Sequence, residues 1–205
     1  MTVQHLISLA SFKGGVGKTT VAVHLAGFLA ARAPTCVVDG DRTRNATFWH
    51  AGGHLRSVVI SPSSIAREGR KYEFIITDTR GGLDDEDLFE VAEASDLLIL
   101  PSSVEMLSLD AMRQTAEALE AKGYLDKTRV LLTMVRSKLK EAQAREVLLA
   151  LGLQVMVPSV RLAEACKDAT SKQVLVSEIK SGEAVWGDFC AVGEAVLERL
   201  EESRG

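Results

Sequence analysis

The sequence predicts an α/β fold: a mostly parallel, twisted sheet with helices on both faces, formed by all 205 residues as one domain. Three observations predict it. Short, near-continuous apolar runs alternate with helical stretches along the chain, as expected when strands are buried on both faces. A glycine-rich turn joins the first apolar run to the first helix. Carboxylates at Asp39, Asp41 and Asp78 follow apolar runs, at the strand ends where parallel sheets gather ligands.

The elements follow in order. Leu6–Leu9 reads as a buried strand, and Val21–Ala31, rich in Ala and Leu, as a helix. Thr35–Val38 and Ser57–Ile60 are strands, and Ser63–Arg70 is a short helix. Phe74–Thr77 is a strand, and Asp84-Asp85-Glu86-Asp87 opens a helix, where negative charge complements the dipole. Asp96–Leu100 is a strand ending at Pro101, followed by a helix over Ser108–Lys122. Arg129–Val135 is a strand, Lys138–Leu151 a helix, and Gln154–Val157 a late strand. Trp186, Phe189, Val196 and Leu200 share one face of a terminal helix that packs on the sheet.

Chemistry concentrates in Lys13-Gly14-Gly15-Val16-Gly17-Lys18-Thr19-Thr20. Strand, glycine-rich turn and helix is the context that a nucleotide loop requires. Backbone N–H groups of Gly14 to Thr20 turn onto phosphate oxygens, aided by the positive end of the helix dipole. Lys18 addresses the β- and γ-phosphates and Thr19 ligates Mg²⁺. The general pattern places its first glycine at position 12; this chain has Phe12 there and Lys13 next.

This loop resembles the deviant Walker A box, K-G-G-x-G-K-T-T, of the ParA/MinD superfamily of dimeric P-loop ATPases. Asp39-Gly40-Asp41-Arg42-Thr43-Arg44-Asn45-Ala46-Thr47 resembles the superfamily's second box, and Asp78-Thr79 its Walker B box. Phe12 in place of glycine leans toward the ParA type. The resemblance runs from Leu6 to about Lys172, with its specific residues in the first eighty. It implies ATP with Mg²⁺ held between two subunits of a homodimer. Lys13 then pairs with phosphate charge across the dimer, and Lys18 stabilises the transferring phosphoryl group. Asp41 positions or activates the attacking water, while Asp39, Asp78 and Thr19 organise the magnesium. Pro158 and Val160, after the late strand, are implied contacts for the base.

Two segments depart from the superfamily pattern. Arg42-Thr43 replaces Pro-Gln, and Arg80-Gly81-Gly82 replaces Pro-Pro or Pro-Gly. Arg42, Arg44 and Arg80 either neutralise phosphate charge, contact the partner subunit or remain solvated loop residues. ATP binding is expected regardless; the hydrolysis rate depends on which of these holds.

The net charge of −4 hides an uneven distribution. Between Gly81 and Asp126 about twelve acidic residues oppose Arg113 and Lys122; between Lys127 and Lys180 about ten basic residues oppose five acidic ones. Lys138, Lys140, Arg145, Arg161, Lys167 and Lys172 are candidates for a basic face that takes non-specific DNA, as the ParA resemblance implies. The alternative for each is ordinary solvated helix charge.

Other features exclude function classes. No apolar run approaches the ~20 residues of a membrane span, so a cytoplasmic protein, nucleoid-associated when ATP-bound, is expected. Glutamates and Asp188 on the polar face of the terminal helix have the wrong sign for anionic lipid. Cys36, Cys166 and Cys190 have no metal-like spacing, and Gly52-Gly53 between His50 and His54 argues against a helical metal pair. The resemblance implies a small plasmid or chromosome partition ATPase, stimulated by a centromere-binding adaptor protein. A nucleoid ATPase positioning a protein cargo shares every motif, and an ATP-dependent ligase of the dethiobiotin-synthetase kind is the metabolic alternative.

Overall fold

The structure, a computed structural model, describes residues 4–11, 13–104 and 109–203, without the side chains of 109–111. Phe12 and Ser108 lie outside the described residues. Six strands form one sheet: β1 (His5–Ser11), β2 (Thr35–Asp39), β3 (Val58–Ile60), β4 (Phe74–Gly81), β5 (Leu97–Ser103) and β6 (Thr128–Thr133). Their order is β3-β2-β4-β1-β5-β6, and every ladder between them is parallel. This is the predicted doubly wound α/β fold.

Period-two alternation sets which residues face which helices. Ile7, Leu9, Val37, Ile76, Ile99 and Leu131 enter one core, under α1 (Lys18–Ala30) and α8 (Glu183–Glu202). Their neighbours Leu98, Leu100, Val130 and Leu132 enter the opposite core, under α4 (Asp85–Ala94), α5 (Leu109–Ala121) and α6 (Lys138–Ala150). The first core is tight enough to need a glycine. A Cβ on Gly193 of α8 would lie 2.2 Å from the Phe28 ring of α1.

A buried histidine organises that core. His24, fully buried on α1, donates from Nδ1 to the Thr20 carbonyl (2.7 Å) and accepts at Nε2 from Val176 N–H (3.1 Å). It stacks on Phe189 at 4.2 Å and meets Trp49 edge-on. Burial pushes its pKa down to about 4, so the ring is neutral with its tautomer fixed by the two bonds.

Two short helices escape the sequence pattern: α2 (Asn45–His50) and α7 (Ala165–Lys172). Six and eight residues are too few for a periodicity to register. The predicted helix over 63–70 is a broken one, α3 (Ile65–Glu68) between two 3₁₀ turns. Asp84 caps α4, its Oδ1 accepting from Asp87 N–H at 2.9 Å.

The predicted late strand, Gln154–Val157, is a correction. The segment beside β6 forms isolated bridges, Val130 to Val155 and Val135 to Arg161, rather than a strand. Arg145 donates to the carbonyls of Met156 (2.6 Å) and Val157 (2.8 Å), and Pro158 has no N–H to continue a ladder.

Candidate functional site

The loop after β1 is built for anions. Gly17, with φ of 83°, turns the chain in the left-handed region into the first residue of α1, a conformation glycine adopts without strain. Ser11 Oγ donates to the Lys13 carbonyl (2.9 Å), and Thr133 Oγ1, from the end of β6, donates to the Val16 carbonyl (2.9 Å). These bonds hold loop carbonyls back and leave the helix N-terminus facing outward. Lys13, Gly14 and Gly15 are exposed at its mouth, while Lys18 is buried.

Beneath the loop lies Asp78 of β4. Thr19 Oγ1 donates to Asp78 Oδ2 at 2.6 Å, and Lys18 Nζ stands 4.0 Å from Asp78 Oδ1. Oδ1 itself is buried without a hydrogen-bond partner. Burial pushes the Asp78 carboxyl up to about 6, against the Thr19 hydrogen bond and the Lys18 charge. An orphaned buried carboxylate oxygen beside a threonine hydroxyl fits a hard cation such as Mg²⁺. Among the described residues no group of three or more His, Cys, Asp or Glu converges on a metal position. A cation here therefore shares its shell with ligand oxygens, as magnesium does on a nucleotide.

The second box is ordered by its own donors. Asp39 Oδ2 accepts from the N–H and hydroxyl of Thr47 (2.8 and 2.6 Å), and Oδ1 accepts from Asp41 N–H (3.3 Å). That carboxylate, paired in register with Asp78 across β2 and β4, is spent on tying α2 to the sheet. Asp41 Oδ1 accepts from Thr43 N–H and Oγ1, both at 2.8 Å. Thr43 N–H bonding first, with the Lys18 charge adding to it, holds the Asp41 carboxyl below its ordinary range. Arg44, at φ of 56°, donates to the Asp39 carbonyl, and Arg42 is exposed. Arg80 turns away from the loop and pairs with Asp87 and Asp84, so the first turn of α4 takes its charge.

Beside the loop is an apolar slot of about 170 Å³ lined by Gly17, Thr20, Val21, Thr133, Met134, Leu162, Ala163, Cys166, Lys167 and Thr170. Pro158 and Val160 do not line it. Val160 is a core residue whose N–H is taken by Leu132 and whose carbonyl accepts from Val135. The chain reaches the slot only at Leu162 and Ala163, and then through α7. Cys166, Lys167 and Thr170 line the slot from α7, which the sequence pattern does not show, and Met134 does so from the residue after β6.

The CobQ/CobB/MinD/ParA nucleotide binding domain matches residues 7–176. The chain belongs to this family. It is 32% identical, over 170 residues, to the maintenance of carboxysome distribution protein A of Gloeobacter kilaueensis, covering 78% of each chain. The ATP complex of a Cyanothece McdA variant superposes with a TM-score of 0.73 at 20% identity, covering 96% of this chain and 97% of that one. A Borrelia burgdorferi protein described as a plasmid partition protein, bound to AMPPNP, gives 0.77 at 15% identity, covering 96% and 99%. At such identities the two structures speak for the fold.

On this MinD/ParA-type domain the predicted basic residues divide. Lys138 and Arg161 line one cavity of about 230 Å³ together with Arg136, which sequence reasoning passed over, and Asp188. Arg161 pairs with Asp188 (2.7 Å), Lys138 with Glu141 (2.9 Å) and Lys167 with Glu164 (3.1 Å). Only the Lys167–Glu164 pair is exposed on both sides and so worth under about 1 kcal/mol; Glu141 and Asp188 are largely buried beneath their cations. Lys140 lies near Arg136 on the first turn of α6, and Lys172 ends α7. Arg145 is a correction: it is committed to Glu141 and to the Met156 and Val157 carbonyls. Burial raises the Glu141 carboxyl, but hydrogen bonds from Lys138, Ser159 and Arg145 outweigh it and bring it down to about 2. Among the described residues no helix is long and apolar enough to cross a membrane.

Proposed function

We propose that this chain is an ATP-hydrolysing positioning protein that distributes a protein cargo over DNA, and not a plasmid partition ATPase. The observation that carries the reading is its likeness to the carboxysome distribution protein, 32% over 170 residues. The loop with an exposed Lys13 and the Thr19–Asp78 pair support the ATPase part.

Bound Mg²⁺-ATP supplies the phosphoryl group that is transferred and the cation that offsets its charge. The chain's own residues do the rest. Backbone N–H groups of Gly14 to Thr20 hold phosphate oxygens, and Lys18 neutralises charge that builds on the transferring group. Thr19 and Asp78 hold the cation; Asp39 orders the second box rather than joining them. Asp41, ionised and held below its ordinary pKa, orients the attacking water as an acceptor more than it removes a proton. Lys13, at the mouth of the loop, reaches the nucleotide of a second copy in a homodimer. That dimer holds non-specific DNA through Lys138, Lys140, Arg161, Lys167 and Lys172, joined by Arg136, and an adaptor protein on the cargo stimulates its release.

Deleting the gene in its host, with the cargo and resident plasmids both labelled, tests this. Clumped cargo with stable plasmids is expected; plasmid loss with evenly spread cargo overturns the reading in favour of partition.

A further inference from the structure

Resting on that reading of ATP hydrolysis, we infer that Arg80 is a positioning residue for the reaction. Its guanidinium, clamped to Asp87 and Asp84 at the start of α4, holds the Arg80-Gly81-Gly82 segment against the phosphate loop and beside Asp41.

The segment is anchored at both ends and loose between them. Thr79 is buried, and its Oγ1 donates to the Leu9 carbonyl (2.7 Å). Leu83 is buried in the core under α4. Between the two the register slips: Leu9 pairs with Asp78 and Ser11 with Gly81, so β4 advances three residues while β1 advances two. Gly82 then takes a φ of 68°, in the left-handed region that glycine enters freely. Adjacent glycines carry no side chain to pack and have much conformational freedom to lose. The prolines of the superfamily pattern, which would stiffen this stretch, are absent. Arg80 supplies the segment's one side chain.

That side chain reaches a rigid element. Arg80 Nη2 pairs with Asp87 and lies 3.8 Å from Asp84, and Nη1 donates to the Gly82 carbonyl (3.4 Å). Asp84 is fixed as the cap of α4, whose Leu88 and Ala92 enter the core. The guanidinium is committed there, so it acts through Gly81 and not on phosphate. Exposed pairs add little to global stability, so the clamp registers in turnover more than in melting.

What the clamp holds is close to the chemistry. A Cβ on Gly81 would lie 3.6 Å from Gly14 Cα, so Gly81 packs on the backbone of the phosphate loop. Gly82 N–H donates to the Ser11 carbonyl (3.0 Å), at the root of that loop. Gly40 N–H donates to the Asp78 carbonyl (2.9 Å), which brings the second box to the same strand end. Thr43 N–H first, and Gly81 N–H with it, keep the Asp41 carboxyl below its ordinary value. A carboxylate that orients a water depends on such donors for its direction, and small misplacements there cost rate.

Steady-state ATP hydrolysis in Mg²⁺ buffer with duplex DNA tests the inference. The variants are Arg80→Ala, Asp87→Ala, Arg80→Glu, and Arg80→Glu combined with Asp87→Arg. Both alanine variants are expected to lower kcat about three- to tenfold, with the KM for ATP within about twofold and Tm within about 2 °C. The charge-swapped double variant should regain roughly half or more of what Arg80→Glu loses. An unchanged kcat in Arg80→Ala overturns the inference, as does a double variant no more active than Arg80→Glu. A loss in Arg80→Ala without one in Asp87→Ala overturns it by giving Arg80 a direct role on phosphate. A raised KM with kcat intact overturns it by making Arg80 a binding residue. If the wild type binds ATP and never hydrolyses it, the underlying reading fails instead.

Discussion

Thr19 Oγ1 lies 2.6 Å from one oxygen of Asp78, while the other oxygen, 4.0 Å from Lys18 Nζ, is buried without a hydrogen bond. The fold therefore holds a carboxylate that burial disfavours, raised to about 6. Such a group weakens the fold as pH rises from the ordinary aspartate value through 6, and its charge becomes useful only when a cation arrives.

Asp78→Asn removes that penalty. At pH 7.5 without nucleotide the variant is expected to melt higher, by roughly 1–3 kcal/mol of stability, and the gain should shrink as pH falls toward about 4. Magnesium-dependent nucleotide binding should fall at least tenfold. Scanning calorimetry across pH and a binding titration check the two halves.

His24 has the opposite sign. Its folded pKa of about 4 lies below the ordinary 6.5, so the stability of the neutral ring is complete above 6.5 and lost as pH falls toward 4. The loss amounts to at most about 3.5 kcal/mol, at about 1.4 per pKa unit. His50, lowered by burial, adds to the same trend, and Asp78 opposes it. The difference between wild type and His24→Gln isolates the histidine: the variant is less stable at pH 7.5, and its disadvantage narrows by pH 4.5.

Gly193→Ala puts a methyl 2.2 Å from a Phe28 ring carbon between α8 and α1. Overpacking of this kind costs about 1–3 kcal/mol. A lower urea midpoint with an unchanged slope is expected.

The basic surface carries a separate expectation. Lys138→Glu with Lys140→Glu should weaken non-specific duplex DNA binding more than about fivefold at roughly 100 mM salt and flatten its salt dependence, leaving ATP affinity within about twofold. Fluorescence anisotropy measures both. Unchanged DNA affinity removes this surface.

What the sequence made legible was local. Lys13 to Thr20 and Asp78 carry their chemistry in fixed spacing after apolar runs, and the structure places Lys18, Thr19 and Asp78 together. What it hid was made by distant partners. Thr133 holds Val16 across 117 residues and Trp49 Nε1 donates to the Val174 carbonyl across 125; neither pairing has a local signal. Arg145 and Arg161 read as candidates for a basic face, and their partners, the Met156 and Val157 carbonyls and Asp188, have no local signal in the sequence. Pro158 and Val160 lie apart from the slot beside the loop, because the Val160 backbone is consumed at the edge of β6, and α7, which lines that slot, is too short to show a period.

The most direct test of the nucleotide-switched account is binding to non-specific duplex DNA with ATP, ADP or no nucleotide, at two salt concentrations, for wild type and Lys13→Gln. The account predicts binding with ATP alone, weakened by salt and lost in the variant. Tight ATP binding with DNA ignored in every nucleotide state would contradict it.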